Sequence, residues 1–212
     1  MTTNNAGQRA RDAERTRDCI LQAATSLFAE QGFNATTIAQ IAEAAGVARG
    51  TPSYFFGTKE GLWKAVLEQQ NRVAASLAPA ALARLGPHAS RDALVHALVD
   101  VFLDFHSAHP EFLRLIQWSE LQRNTLIHQV EAHRDAIQSA LMATRHLLAA
   151  TPLARESATH VVLTVFGACN AHLMFGQTLA PALGLDVGDP EFQLERRAHL
   201  KRLLSAALDS TR

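Results

Sequence analysis

Apolar residues recur at intervals of three and four along nearly the whole chain, and this spacing restricts the fold more than any other feature. In an α-helix that interval gathers apolar side chains on one face, whereas a half-buried strand alternates apolar and polar residues. No stretch shows strand-like alternation with β-branched enrichment. With 212 residues, 48% of them hydrophobic, the chain can form one sizeable core or a small domain joined to a larger one. We therefore predict an all-α fold of about nine helices.

Two short helices follow one another near the N-terminus, with a longer helix on each side. The first carries a capping box, in which Thr37 and Gln40 would each satisfy a backbone amide of the first turn. Gly46 ends this helix and allows a sharp turn, and the second short helix covers about 48–56. Two such helices make a helix-turn-helix, here at about 37–56, whose second helix lies in the major groove of DNA.

The second short helix carries side chains suited to DNA contacts. Arg49 can form two hydrogen bonds to guanine, and Gly50 lets the backbone come close to the duplex. Tyr54 offers a hydroxyl to a phosphate. Lys59 stands at the N-terminus of the next helix, where free amides and the helix dipole also favour a phosphate. Further candidates for contacts to base edges, phosphates or thymine methyl groups are Thr51, Ser53 and Phe55.

Both short helices and their flanks lie in the stretch "ILQAATSLFAEQGFNATTIAQIAEAAGVARGTPSYFFGTKEGLW". Its Thr-Thr cap, its Arg-Gly-Thr helix opening and its final Lys-Glu resemble the N-terminal domain of the TetR family of transcriptional regulators, over about residues 14–74. The resemblance implies an all-helical homodimer, with a flexible basic arm at 1–13 and a larger domain for ligand binding and dimerisation at 75–212. The DNA contacts that it implies are Thr36, Thr37, Arg49, Gly50, Thr51, Ser53, Tyr54 and Lys59.

Two positions depart from the family pattern. Pro52 stands where the family usually has leucine or another apolar residue. In a first turn, proline loses at most one helical hydrogen bond and can still pack as an apolar side chain. Ser53 stands where tyrosine is common, and its shorter side chain reduces the reach to DNA. We therefore expect the base contacts of this chain to differ from the common pattern.

Charge is evenly balanced, with 20 basic and 20 acidic residues. DNA binding must therefore depend on where a few cations lie and not on the net charge. We expect one or two of four arginines near the N-terminus to lie close to phosphates, and the others to form a solvated helix end. These four are Arg9, Arg11, Arg15 and Arg17.

The sequence predicts neither a signal peptide nor a membrane span. Residues 1–10 are polar, and the most apolar run, 161–175, is too short to cross a bilayer. The two cysteines, Cys19 and Cys169, lie far apart in apolar helical patterns, which indicates buried thiols in a reducing compartment. We expect a cytoplasmic protein with no membrane partner.

Ten histidines suggest metal binding, but their spacing does not favour it. His106 and His109 could share a helical face, yet no Cys/His set has the spacing of a structural zinc site. Glu156 and His160 are four apart, which is more often a surface pair than an acid–base unit. No nucleophile motif or phosphate loop accompanies them. We expect no metal site, no cofactor and no enzymatic activity, with a helical enzyme kept as an alternative.

The second half places aromatic and isolated polar residues on long helices, a combination that could line an apolar cavity for a small molecule. Core packing is the competing interpretation for each of these side chains. Because lysine is scarce, an uncharged or aromatic effector is preferred to a strongly anionic one. The candidates are Phe102, Phe105, His106, Gln117, Trp118, His128, Phe166, Asn170, His172 and Phe175.

The last two predicted helices, 154–180 and 191–209, are too apolar to face solvent. In the family, the last two helices of each subunit build a four-helix dimer interface, and these segments fit that role. The features together predict a ligand-responsive repressor. It would bind a palindromic double-stranded DNA operator as a homodimer and be released by a small molecule. An architectural DNA-binding protein without a ligand switch is kept as an alternative.

Overall fold

The computed structural model describes residues 3–85, 89–149 and 158–209. Over these residues the chain forms ten α-helices and one 3-10 helix, and no strand. The α-helices are α1 (Thr3–Ala35), α2 (Ile38–Ala44), α3 (Thr51–Phe56), α4 (Lys59–Leu85), α5 (Arg91–Ala108), α6 (Pro110–Leu121), α7 (Glu131–Leu148), α8 (Ala158–Met174), α9 (Leu179–Ala182) and α10 (Pro190–Asp209). The 3-10 helix, Thr125–Gln129, lies between α6 and α7.

The prediction of an all-α fold is confirmed, and the differences concern where helices begin and end. Helix α9, a separate turn of four residues, brings the number in the described residues to ten. Residues 3–13, expected as a flexible arm, are helical and continue into the rest of α1. Instead of one helix over 124–149, a 3-10 turn precedes α7. Asn124 caps that turn, accepting a hydrogen bond from the amide of Leu126 at 3.1 Å.

The apolar helix expected over 154–180 corresponds to α8, which ends at Met174. The chain then turns, and the amides of Leu179 and Ala180 both donate to the carbonyl of Phe175. The predicted start of this helix, together with Glu156, lies outside the described residues.

The chain divides into two compact units. The first unit comprises Met1–Arg72 and His109–Arg134, and the second comprises Val73–Ala108 and Asp135–Arg212. The domain boundary predicted after residue 74 lies close to Arg72, where the chain first passes from the first unit to the second. The return of α6 and the 3-10 helix to the first unit was not predicted.

The first unit has a core built from α1, α2, α4, α6 and the segment around the 3-10 helix. The rings of Phe28 and Trp63 meet edge to face, with centroids 4.9 Å apart, and both are fully buried. Each large apolar side chain buried in this way contributes roughly 1.5–3 kcal/mol to folding. The buried residues are Ile20, Leu21, Ala24, Phe28, Ala29, Ile41, Leu62, Trp63, Val66, Leu67, Leu115, Ile127, Val130 and Ala132.

Helix α1 changes direction at Gly32, which has φ 77° and ψ 172°. The backbone here is packed tightly, since a Cβ atom on Gly32 would lie 2.7 Å from the Trp118 ring and 2.6 Å from the Gln122 side chain. The indole N–H of Trp118 donates to the carbonyl of Ala29 at 3.1 Å. The amide of Asn34 donates to Oε1 of Gln122 at 3.3 Å. Two side chains at the end of α6 therefore hold the end of α1.

The second unit has its own apolar core and a polar network between α5 and α10. Val95, Val99, Leu148, Cys169 and Leu200 form the buried core. Arg197 bonds to Asp100 and Asp104, and Lys201 also bonds to Asp100. Desolvation raises the pKa of Asp100, but hydrogen bonds from Lys201 and Arg197 outweigh it and hold that pKa below its ordinary value.

The expectation of two buried thiols is only half right. Cys19 is exposed on α1, whereas Cys169 is fully buried in α8. Burial raises the pKa of the Cys169 thiol to about 11, so it is protonated at neutral pH.

Candidate nucleic-acid interface

The capping box at the start of α2 is confirmed. The amide of Gln40 donates to the hydroxyl oxygen of Thr37 at 3.2 Å, and the amide of Thr37 donates to the Gln40 side chain at 2.8 Å. At the other end, Gly46 has φ 67°, a conformation that strongly favours glycine. Ile41 and Ala42 are buried, which fixes α2 against the core of the first unit.

Helix α3 begins at Thr51, three residues later than predicted, after a turn closed by the amide of Thr51 on the carbonyl of Ala48. Gly50 has φ −80°, which any residue can adopt, so the backbone conformation at this position does not require glycine. No atom lies within 4 Å of the Cβ position of Gly50, which leaves room for an approaching molecule. Pro52 lies in the first turn and is buried, in agreement with the expectation that it packs as an apolar residue.

The predicted DNA contacts fall into an exposed set and a buried set. Tyr54 is 84% exposed, and Thr51 and Lys59 are half-buried. Thr36 is fully buried, and its hydroxyl donates to the carbonyl of Gly32 at 2.8 Å. Phe55 packs against the core of the first unit. Thr36 therefore serves the fold, and we do not keep it as a DNA contact. Phe55 is only partly buried and stays a predicted contact. The remaining exposed residues of the set are Thr37, Arg49, Gly50 and Ser53.

Lys59 opens α4, as predicted, and is held in place by its neighbours. Its ammonium donates to the carbonyl of Asn34 at 3.3 Å and lies over the Phe33 ring, 4.5 Å from the centroid. The helix amides beside it are less available than expected. The amide of Gly61 already donates to the hydroxyl of Thr58. A phosphate at this position would therefore rely on the ammonium more than on the helix end.

Among the four N-terminal arginines, Arg17 differs from the others because it lies beside α3. Its guanidinium stands over the Phe56 ring, 5.2 Å from the centroid, a cation–π arrangement. Arg15 instead faces Asp12 on its own helix at 3.8 Å. The structure thus adds one exposed cation next to the α2–α3 pair, a contact that the sequence could not single out among four arginines.

The ten predicted ligand-binding residues are divided between the two units. Three of them, Gln117, Trp118 and His128, belong to the first unit. Trp118 packs on the end of α1, and His128 is exposed on the 3-10 helix. In the second unit, Phe105 is buried and Phe175 is 49% exposed. The others of the second unit are Phe102, His106, Phe166, Asn170 and His172.

Four of the aromatic side chains meet in one cluster between α5 and α8, namely those of Phe102, Phe105, His106 and Phe166. The His106 ring stacks on Phe102 with centroids 4.3 Å apart, and its Nδ1 lies 2.9 Å from the Phe102 carbonyl. Phe102 and Phe166 meet edge to face at 6.2 Å. Asn170 is fully buried and donates its side-chain amide to the Phe166 carbonyl at 2.9 Å.

His172 lies on α8 opposite Arg196 of α10, a residue that sequence reasoning missed. Burial, followed by the positive charges of Arg196 and His106, lowers the pKa of His172 to about 4. Arg196 donates from its guanidinium to the carbonyl of Ala168 at 2.6 Å. The rings of His172 and Phe192 are 6.0 Å apart. No periodicity in the sequence distinguishes Arg196 from the other cations of α10.

Two further observations concern the described residues only. No three His, Cys, Asp or Glu side chains among them converge as metal ligands would. None of the helices in this part of the chain combines the length and the apolar character that crossing a bilayer requires.

Two family models match the chain. The model for bacterial regulatory proteins of the tetR family matches residues 20–66, which contain α2 and α3. The model for the tetracyclin repressor-like C-terminal domain matches residues 92–203.

Several transcriptional regulators are similar to this chain, and the similarity extends over most of their length. The chain is 29% identical to the HTH-type transcriptional repressor NicS of Pseudomonas putida over 196 residues, 90% of this chain and 91% of that protein. It is 25% identical to the HTH-type transcriptional regulator RutR of Escherichia coli K12, over 93% of this chain and 92% of that protein. Among solved structures, the transcriptional regulator SCO4942 of Streptomyces coelicolor superposes with a TM-score of 0.70 at 20% identity, covering 91% of this chain and 97% of the other.

Proposed function

Because the chain belongs to the TetR family of bacterial regulatory proteins, we propose that it is a repressor that binds a palindromic operator as a homodimer and is released by a small molecule. Membership makes it a DNA-binding transcriptional regulator and not an enzyme. The observation that carries the proposal is the exposed face of the α2–α3 pair. Arg49 and Tyr54 there project from a capped, tightly turned unit that is anchored in a core. Its operator DNA would place it in the cytoplasm.

Each exposed side chain of this face has a separate task in the proposal. Arg49 reads a guanine through two hydrogen bonds, and Ser53 reaches a base edge or a phosphate. Thr51 and Tyr54 hold phosphates. Lys59, fixed between Phe33 and the Asn34 carbonyl, supplies a positive charge at the edge of the face.

A homodimer would cover an apolar surface on α8 and α10. Leu163 and Leu194 are each 68% exposed, and Phe166, Met174 and Leu203 are also exposed. Exposed apolar side chains gathered on two helices are typical of a surface that another chain covers. In such a dimer the two α3 helices would enter successive major grooves about 34–36 Å apart.

Release by an effector requires only a modest coupling between the ligand and the DNA. A ligand that prefers the dimer geometry unable to bind the operator shifts the equilibrium by about 1–3 kcal/mol in typical systems. The polar groups buried in the second unit support an effector site there. Asn170 and His172 each carry a buried side-chain atom that has no hydrogen-bond partner among the described residues.

Footprinting the gene's own upstream region with the purified protein tests the proposal. We expect two symmetric half-sites about one helical turn apart, protected by two subunits. Arg49→Ala should lose the footprint at protein concentrations where Arg114→Ala keeps it, since Arg114 is an exposed arginine of α6 in the same unit. Protection of one unsymmetrical half-site by a monomer would contradict the proposal.

A further inference from the structure

Arg196 and Arg197 are neighbours on α10 but have opposite surroundings. Arg197 forms ion pairs with both Asp100 and Asp104. Arg196 forms no ion pair with any described residue, and its Nε is buried without a hydrogen-bond partner there. Its only hydrogen bond in this part of the chain goes to the carbonyl of Ala168. The partly buried side chain of Arg196 therefore has no negative partner among the described residues.

Because Arg196 is partly buried, leaving its Nε without an acceptor has a cost for the folded chain. A buried charge is normally paired, because a neutral carbonyl does not replace the solvation that an ion loses. The groups nearby do not supply a negative charge. The thiol of Cys169 feels the charge of Arg196, but its pKa is about 11 and it stays neutral. The carboxylates of Asp100 and Asp104 are already engaged by Arg197 and Lys201.

The side chains around Arg196 add an imidazole and an aromatic ring, and neither carries a negative charge. Nδ1 of His172 is buried and has no partner among the described residues. Phe192, one helical turn before Arg196, lies beside the His172 ring. His106 of α5 is near enough to contribute a positive potential at His172. We call Arg196, His172 and Phe192 the Arg196 cluster.

We propose that the Arg196 cluster binds the carboxylate of a small aromatic acid, and that this acid is the effector class of the protein. The role of this acid as an effector rests on the proposed function, whereas its binding to the Arg196 cluster does not. The sequence favoured an uncharged or aromatic ligand over a strongly anionic one because lysine is scarce, and the proposed ligand is aromatic but carries one negative charge. A guanidinium is a better carboxylate partner than an ammonium because its planar fork matches the two oxygens.

The recognition follows from the positions of the donors. One carboxylate oxygen accepts from Nε of Arg196, and the other accepts from Nδ1–H of a neutral His172. The aromatic body of the ligand lies against Phe192. The bound anion supplies the negative charge that the cluster lacks, so binding and stability of the second unit rise together.

Thermal unfolding of the full-length protein with benzoate tests the assignment, with benzamide as the uncharged analogue of the same shape. Benzoate at millimolar concentration should raise the Tm of the native protein, whereas benzamide should not, at equal ionic strength. Arg196→Met should abolish the benzoate shift, and Arg196→Lys should weaken it. Arg202→Met, which removes the same charge from an exposed position of the same helix, should leave the shift unchanged.

The ligand-free variants provide a second readout. If Arg196 is an uncompensated charge, the Tm of ligand-free Arg196→Met should equal or exceed that of the native protein. A large loss of Tm, with weakened dimerisation and no benzoate shift in the native protein, would show that the guanidinium serves the subunit interface instead. Equal shifts by benzoate and benzamide, or a shift that survives Arg196→Met, would also overturn the proposal.

The operator assay separates the two proposals. If benzoate has no effect while the native protein still protects two half-sites, the ligand class is wrong and the proposed regulator stands. If benzoate binds through Arg196 but the protein protects no operator, the site is real and the proposed function fails.

Discussion

Replacing Gly32 by alanine should destabilise the first unit more than the same replacement at Gly46. Gly32 has φ 77° and ψ 172°, in a region of backbone space that only glycine occupies readily. The methyl group would also lie 2.7 Å from the Trp118 ring, which is itself fixed by its bond to Ala29. Two independent costs therefore act at one position.

The two costs can be estimated separately. Holding alanine in this backbone region costs about 1–3 kcal/mol. Forcing a methyl group into a packed aromatic contact costs a further ~1–3 kcal/mol. The sum, ~2–6 kcal/mol, is a large part of the stability of a typical domain, which is about 5–15 kcal/mol. Gly46→Ala is the matched control, because Gly46 has φ 67° but no atom within 4 Å of its Cβ position.

Urea unfolding followed by tryptophan fluorescence reports on the first unit alone, because both tryptophans, Trp63 and Trp118, lie in it. Gly32→Ala should lower the free energy of unfolding by clearly more than Gly46→Ala. Trp118→Leu should recover part of the loss when combined with Gly32→Ala, since it removes the overlap but not the backbone cost. Equal losses for Gly32→Ala and Gly46→Ala would refute the argument that Trp118 limits the space.

Lys59→Ala should weaken binding to all DNA sequences alike and lower the salt dependence of binding by about one counterion. Arg49→Ala should instead cost ~1–3 kcal/mol of binding free energy and relax the preference at one base pair. Titration of variant operators at several salt concentrations measures both effects. Asp100 has a lowered pKa when folded, so it stabilises the fold above the unfolded pKa of about 4 and loses this effect as the pH falls further. Asp100→Asn should therefore lower Tm at neutral pH, and the difference from the native protein should shrink below about pH 4. Iodoacetamide should alkylate Cys19 rapidly in the native protein but reach Cys169 only after unfolding, as mass spectrometry of the peptides would show.

Local signals in the sequence were sufficient for the elements that make the DNA-binding face. The capping box at Thr37 and the turn at Gly46 are made by residues a few positions apart, so their chemistry is readable without knowing the fold. The same holds for Pro52, whose place in a first turn follows from its missing amide. Lys59 opens α4 where a helix start was predicted.

The features that the sequence did not indicate share a different cause, since each depends on which helices pack together. Thr36 was predicted as a DNA contact, but the change of direction at Gly32 brings a carbonyl to its hydroxyl and buries it. Trp118 was predicted in a ligand cavity because it is an aromatic residue on an amphipathic helix. The sequence does not indicate that α6 returns to pack on α1, 89 positions away in the chain. Arg196 was missed because only the positions of α5 and α8 distinguish it from Arg197.

Because α6 packs in the first unit, the part of the chain that supports the α2–α3 pair includes more than the N-terminal helices. Leu115 of α6 is fully buried in the same core as Phe28 and Trp63, which supports α2. Gln122, at the end of α6, binds the amide of Asn34, and the carbonyl of Asn34 accepts from Lys59. Only two hydrogen bonds therefore connect α6 to the ammonium of Lys59, which is proposed to hold a phosphate. A small movement of α6 would be transmitted to that ammonium through them. Residues 109–134 thus belong to the physical unit that presents the proposed DNA-binding face, although none of the predicted DNA contacts lies within them.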